Sequence, residues 1–304
     1  MSPAHPPHLG LVITATRRSV VLLTSSGETL KGRLSTHARD ITVGDYVGFS
    51  VERGNAFISS VAPEKNCLAR AYQEKRKKLA ANLDRIFIVT AAVPLFNEIF
   101  VDRIIAVATR EEIPCTLIVN KTDLDLTDTM PLVETYEHLE IPVLYTSARL
   151  GDGMAAVESA LADPALHIVA LTGVSGVGKT SLLNHLIPEA ASRTAEVSHR
   201  TGQGKQTTSQ SRGYRYPRAG ADPLLLIDLP GIQKFGVTHL TKKEAAAAFI
   251  EFRERSLECR YSDCSHTAEE ECAVKDGVDS GAIALSRYVS YLDMIDEIES
   301  ARKY

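Results

Sequence analysis

The sequence predicts three units in series: a small all-β barrel, a central α/β unit built on a mostly parallel sheet, and a short helical module at the C-terminal end. Three observations predict this. Short apolar runs separated by glycines fill residues 9–62, strand-like and helix-like runs alternate from Leu83 to Ile227, and three cysteines and a histidine crowd into residues 259–272. The length agrees, because 304 residues exceed one ordinary core and suit two or three domains of roughly 100–200 residues. Hydrophobic residues at 44% and charged residues at 24% are globular values and exclude an intrinsically disordered chain. The expected divisions are 1–66, 67–237 and 238–304.

In the first unit, strands are expected at 11–14, 20–24, 28–32, 45–51 and 55–61, with Gly27, Gly44 and Gly54 at the turns. Five short strands in about 55 residues suit a barrel of the oligonucleotide/oligosaccharide-binding (OB) type; an SH3-like barrel or a small sandwich are the alternatives. Residues 70–78, with the basic run Lys75, Arg76, Lys77 and Lys78, read as an exposed linker or helix. Residues 1–80 carry 12 Lys/Arg against 6 Asp/Glu, while the remainder is net −10 within a total of −4. A basic front on an acidic body suggests that the front touches a polyanion. Absence of Trp and an aromatic content of 6% argue against a carbohydrate-binding or single-strand stacking surface. No apolar run approaches the roughly 18 residues of a membrane span, and residues 1–10 lack the pattern of a signal peptide. A cytoplasmic protein is expected, most simply a monomer, without membrane contact.

In the central unit, strands are expected at 86–91, 115–119, 142–146, 167–171 and 224–227, and helices at 98–111, 129–138, 154–162 and 180–187. That alternation implies a mostly parallel sheet with helices on both faces. Residues 192–220 are rich in Ser, Thr, Gly, Arg and Gln, and a polar segment this long inside a compact unit is expected to be functional. Helices over 242–257 and 283–298 close the chain.

Residues 173–180, Gly173, Val174, Ser175, Gly176, Val177, Gly178, Lys179 and Thr180, form a complete phosphate-binding loop, continued by Ser181. Its glycines let backbone N–H groups converge on phosphates at a helix N-terminus, where the dipole favours negative charge. Lys179 can reach the β- and γ-phosphates and Thr180 can ligate Mg²⁺. Asp228-Leu229-Pro230-Gly231 ends a strand, so the Asp228 carboxylate can hold Mg²⁺ through water while the Gly231 backbone senses a γ-phosphate. Asn120-Lys121-Thr122-Asp123 also follows a strand. Its Asp123 can accept from guanine N1–H and the exocyclic amine, a donor pair that adenine lacks. The stem of Lys121 would lie over the base, and Thr146-Ser147-Ala148 would offer a backbone contact to guanine O6.

Cys259, Cys264, His266 and Cys272 supply three soft thiolates and one imidazole, the set of a closed structural Zn²⁺ site. No ligand position is left for water, so catalytic zinc is not expected. Cys67 and Cys115 stand alone and read as ordinary small residues.

The order of the motifs is the decisive feature. Ordinary GTPases place the phosphate loop first and the guanine-reading motifs last; here the guanine motifs at 120 and 147 precede the loop at 173, the polar segment near 207 and the Mg²⁺ strand at 228. This is a circular permutation. The switch following Gly231 then leads straight into the C-terminal segment, so γ-phosphate loss can pull on whatever that segment binds.

With these motifs the chain resembles the ribosome small subunit-dependent GTPase A family. The resemblance spans the barrel, Ala81-Asn82-Leu83-Asp84, residues 120–124, 173–181 and 228–236, and the cysteine cluster with Arg287-Tyr288-Val289-Ser290-Tyr291. It implies an OB barrel, a circularly permuted GTPase and a zinc module that together dock on small-subunit rRNA, with Mg²⁺-dependent GTP hydrolysis accelerated there during late subunit assembly. It also implies that Thr207 or Thr208 ligates Mg²⁺. Family members usually place a His before the paired threonines; here that position is Gln206, which can orient water but cannot relay a proton. Ile232 after Gly231 matches the family and cannot position water. Lys179 and Gln206 are therefore the catalytic candidates. Two other functions stay open: an rRNA-binding assembly platform with GTP bound but little hydrolysis, and a P-loop kinase or ATPase.

Overall fold

The computed structural model describes residues 8–16, 18–34, 40–52, 54–72, 75–190 and 210–301. Gln206, Thr207 and Thr208 lie outside the described residues.

Strands β1 (His8–Ala15), β2 (Ser19–Thr24), β3 (Thr29–Leu34), β4 (Tyr46–Glu52) and β5 (Asn55–Val61) run in the order β1-β2-β3-β5-β4, and β1 pairs again with β4 to close the barrel. The β3–β5 pair is parallel and every other barrel pair antiparallel. This closed five-stranded arrangement is of the OB type and settles the choice among the small β architectures. Val12, Val20, Leu22, Val47, Phe49, Ala56 and Ile58 alternate inward to fill it. Gly32 faces the same interior, where an added Cβ would fall 2.8 Å from Val20.

Residues 70–78 are not a linker or a helix. They belong to a hairpin of β6 (Cys67–Tyr72) and β7 (Lys75–Ala81). Its root is apolar and buried through Cys67, Leu68, Ala69, Leu79, Ala80 and Ala81, whereas Lys75, Arg76 and Lys77 stand in solvent. The cluster of charge at the outer half masks the strand pattern of the inner half.

The central sheet runs β10 (Val143–Thr146), β9 (Cys115–Asn120), β8 (Arg85–Ala91), β11 (Ile168–Gly173), β13 (Ala221–Asp228) and β12 (Arg212–Arg218). The first five strands are parallel; β12 pairs antiparallel with β13 and reaches β1 through Thr14 and Arg212. Strand β12 falls inside the segment expected to be polar throughout. Its Arg/Tyr alternation is a strand signal hidden by composition, with Tyr214 and Tyr216 packed on one core and Gly213 admitting Leu225 at close range.

Both sheet faces are buried, as parallel strands require. Ile86, Ile88, Leu117, Val119, Ile168, Ala170, Leu225 and Ile227 face α1 (Glu98–Arg110) and α2 (Met130–His138). Phe87, Val89, Ile118, Val169, Leu171, Leu224 and Leu226 face α3 (Met154–Leu161) and α4 (Lys179–Leu186).

The helix expected over 242–257 is two helices, α5 (Lys242–Ala247) and α6 (Ile250–Ser256). Thr241 and Glu244 form a capping box at the start of α5, while Phe249 takes an extended conformation at the start of α6. That break lets Phe249 and Phe252 both enter the core, ring on ring at 5.0 Å. Helix α7 (Ala273–Asp279), which sequence reading omits, begins at Cys272, and α8 (Leu285–Ala301) ends the described chain. Phe249, Phe252, Tyr291, Met294, Ile295 and Ile298 share a continuous core with α1. Arg287 bridges the same interface, pairing with Asp102 and, at 2.8 Å, with Glu251, its guanidinium 4.4 Å above the Phe249 ring. Among the described residues no helix is long and apolar enough to cross a membrane.

Candidate active site and metal centre

The loop between β11 and α4 sits where sequence reading placed it, at the C-terminal edge of the parallel strands, the usual ligand crevice of such sheets. Two of its glycines are obligatory. A Cβ on Gly173 would lie 2.4 Å from the Val89 carbonyl oxygen; one on Gly178, whose φ is +92°, would lie 2.2 Å from Asn120 Nδ2. Gly176 is also left-handed, at φ +91°. Val177 is buried and anchors the loop, Val174 packs between the two cores, and Ser175, Thr180 and Ser181 are exposed at its mouth.

Asn120 ties the separate motifs together. Its Nδ2 donates to the Val177 carbonyl at 2.9 Å, and its Oδ1 accepts from Thr146 Oγ1 at 3.1 Å and from the Ala148 N–H at 3.0 Å. The parallel β9–β10 register, with Asn120 opposite Thr146, makes that contact a consequence of strand pairing. Lys121, left-handed at φ +65°, sends its ammonium to the carbonyls of Val93 and Gly176, both at 2.6 Å.

Asp123 is poised as an acceptor. Ser147 Oγ donates to Oδ1 at 2.5 Å and Arg149 Nη2 donates to Oδ2 at 2.8 Å. The Ser147 hydrogen bond first, and the Arg149 bond with it, hold the carboxyl below the usual aspartate range. Asn120, Lys121, Asp123, Leu124, Ala148, Arg149, Gly178, Ser181, Asn184 and His185 line a cavity of about 700 Å³. Leu124, Arg149, Asn184 and His185 are the lining residues that sequence reading did not assign to the site, although Leu124 ends the 120–124 stretch of the family resemblance. Arg149 was findable, because it directly follows Ser147 and Ala148; the α4 pair becomes visible only once the helix is docked.

On the phosphate side, the β11–β13 register sets Leu171 opposite Asp228, and the Lys179 ammonium pairs with Asp228 Oδ1. Both side chains are buried, so each neutralises the other at the strand ends. The Leu229 N–H donates to the Leu171 carbonyl at 3.0 Å and carries the chain past the loop toward Gly231. Ile232 is buried in the core and offers no group to water.

The four expected metal ligands converge. The ligand atoms of Cys259, Cys264, His266 and Cys272 all lie within 4.8 Å of one another. Cys259 Sγ and Cys272 Sγ are 3.9 Å apart, and His266 Nδ1 is 3.7 and 3.5 Å from them. A tetrahedral ion with metal–sulfur bonds of about 2.3 Å requires sulfur–sulfur edges of about 3.8 Å, so the donor set has the dimensions of a metal cage. Tyr288 Oη donates to the His266 carbonyl at 2.7 Å and Tyr291 Oη to the Ser265 carbonyl at 2.6 Å. These bonds fasten the ligand loop to α8.

The sequence profile described as RsgA GTPase matches residues 61–238. The chain is also 32% identical to the small ribosomal subunit biogenesis GTPase RsgA of Actinobacillus pleuropneumoniae, covering 97% of this chain and 88% of that one. The chain belongs to the RsgA GTPase family. It is 35% identical to the RsgA of Phocaeicola vulgatus over 96% of this chain and 98% of its relative. Among solved structures it resembles YjeQ from Thermotoga maritima, with a TM-score of 0.72 at 27% identity, covering 96% and 98% of the two chains. YloQ, described as a circularly permuted GTPase, matches in fold with a TM-score of 0.68 at 24% identity, over 98% and 97%. Membership of the RsgA family makes the chain a circularly permuted GTP hydrolase and agrees with the permuted motif order and with the strand order described above.

Proposed function

We propose that this chain binds GTP in the cleft between Asp123 and the phosphate loop, hydrolyses it to GDP and phosphate, and does so on the small ribosomal subunit during its late assembly, in the cytoplasm. One observation carries the nucleotide part. Asn120 joins the guanine-reading loops and the phosphate loop through three hydrogen bonds, so that all line one cavity in the permuted order. The ribosomal part rests on the family and on relatives that match nearly the whole chain.

In this reading Asp123, already ionised and oriented by Ser147, takes the two guanine donors, and the stem of Lys121 packs on the base. The Ala148 N–H, directed by Asn120, serves guanine O6. Backbone N–H groups of residues 173–181 surround the phosphates, and Lys179 exchanges its pairing with Asp228 for the β- and γ-phosphates. Thr180 and Asp228, with Thr207 or Thr208, would hold Mg²⁺, which when bound neutralises phosphate charge. Gln206 orients water, and Gly231 reports the γ-phosphate.

Residues 1–66 form the RNA-binding barrel, 67–237 the GTPase and 238–304 a module folded around structural zinc on Cys259, Cys264, His266 and Cys272. The protein acts as a monomer on small-subunit rRNA. Single-turnover hydrolysis with and without small subunits tests the reading. The expected result is strong stimulation by subunits, reduced by about 10–100-fold in Gln206→Ala, the scale of losing one positioning hydrogen bond. GTP binding without any stimulation would replace this reading with that of an assembly platform.

A further inference from the structure

The main chain that leaves the Asp228 turn runs beside β6, where the Ala71 N–H donates to the Gly236 carbonyl at 2.8 Å and Arg70 Nη1 to the Lys234 carbonyl at 3.4 Å. It is gripped from the other side by two side chains of α1 and α8. Arg103 on α1 donates from Nη1 to the Phe235 carbonyl at 2.9 Å, and Glu297 on α8 accepts from the Val237 N–H at 2.9 Å. The two side chains also hold each other, Arg103 Nη1 to Glu297 Oε2 at 2.7 Å, while Arg103 Nε and Nη2 donate to Asp293 Oδ2 at 3.1 and 2.5 Å. Gly236 lies between the two gripped residues. A Cβ there would come within 2.6 Å of the Ala71 carbonyl and 3.2 Å of Glu297 Oε1, so the clamp closes only over glycine.

Both clamp contacts are to backbone atoms, so they respond to where the segment lies; Glu297 also faces the exposed ammonium of Lys234 at 3.6 Å, a longer contact in solvent. The side chain of Arg103 is only 3% exposed, leaving no water to take over its hydrogen bonds. Arg103 stays tied to Asp293 and Glu297 whatever the segment does, so a shift of residues 235–237 by even 1 Å must either leave the buried Phe235 carbonyl and Val237 N–H without these partners or carry the clamp along. Each buried group left unpaired carries its desolvation penalty, which favours movement of the clamp together with the segment and so couples the two.

We propose that Arg103 and Glu297 are positioning residues that couple the nucleotide state, felt at residues 228–231, to the orientation of α8 and the cysteine module it fastens. The proposal rests on the GTPase reading above. α1 and α8 thus sense the switch from outside the nucleotide cleft.

The test uses the full-length, zinc-loaded protein and the ratio of its small-subunit affinities with a non-hydrolysable GTP analogue and with GDP. Glu297→Ala is expected to lower that ratio at least fivefold while GTP affinity stays within twofold of wild type. Glu297→Gln, which keeps an acceptor for Val237 but loses the charge facing Arg103, should fall between. A purely structural role would lower the melting temperature and leave the ratio alone; an unchanged ratio in a folded variant overturns the proposal. Should Glu297→Ala fail to fold, amide exchange in the wild type decides. Replacing the analogue by GDP should alter protection at Val237 and over residues 285–301 together, and a change that stops before residue 235 refutes the coupling. A wild type without any nucleotide preference on subunits strikes the ribosome-coupled reading instead, and the exchange measurement, which needs no subunit, still judges the clamp.

Discussion

Asn120→Ala tests how the nucleotide cleft is held together. The side chain is 2% exposed and makes three hydrogen bonds, to the Val177 carbonyl, Thr146 Oγ1 and the Ala148 N–H. A net value of about 1 kcal/mol for each sums to about 3 kcal/mol. Thr146 and Val177 are buried, so their unpaired groups either cost stability or draw the loops apart toward the cleft, and where the loops move the cost falls on binding, when they must be brought back together. At about 1.4 kcal/mol per tenfold, guanine-nucleotide affinity should weaken by roughly 100-fold. Part of the loss will appear as stability, at about 2–4 °C of melting temperature per kcal/mol for a domain of this size. A titration with fluorescent GDP measures the affinity and a thermal melt the remainder. Affinity within threefold of wild type, in a folded variant, would refute the idea that Asn120 joins the loops. Asn120→Asp sharpens the result: it keeps both acceptor contacts but sets an oxygen against the Val177 carbonyl, and should bind nearly as poorly as the alanine variant.

Asp123→Asn should move preference from guanine to xanthine, because the amide donates where xanthine O2 accepts; competition binding with GDP and XDP measures it, and unchanged GDP affinity would remove Asp123 from the base pocket. Cys264→Ser or chelation should unfold the ligand loop around residues 259–280, since a small metal module draws its folding energy from ligand bonds. Elemental analysis should find close to one zinc per chain, and less than about 0.2 in fresh protein would sink the metal assignment. His239 is half-buried with neither ring nitrogen hydrogen-bonded, and burial, aided by Arg110 and Arg76, pushes its pKa down to about 4. The unfolded chain, with an ordinary histidine pKa of about 6.5, binds the proton more tightly. The stability that neutral His239 permits is therefore complete above pH 6.5 and lost as pH falls toward 4, by an amount on the order of 1–3 kcal/mol. His239→Leu should flatten that limb of a denaturant-midpoint profile; parallel profiles for the two proteins would discount the residue.

The chemistry of this protein is written locally and was therefore legible in the chain. The glycines of residues 173–178, the Asn120-Lys121-Thr122-Asp123 run, the turn at Asp228 and the four converging Cys and His side chains each occupy a short stretch whose residue types follow from the contacts proposed for them. Their order along the chain was enough to show the permutation. The barrel strands and the helices of the central unit were also readable, because period and turn residues are local properties. What the sequence could not reveal depends on partners far away in the chain. The hairpin of β6 and β7 hides behind its own charge until its buried root is seen, and β12 is recognisable only beside β13. The helix over 242–257 breaks because two phenylalanines must reach one core, a demand set by α1 and α8. Asn184 and His185 reach the cleft only once α4 is docked, and Arg103 finds Phe235 and Glu297 across 132 and 194 residues. Local patterns specify which groups are available; only the packed tertiary structure, which decides what each buried charge must face, selects the pairs they form.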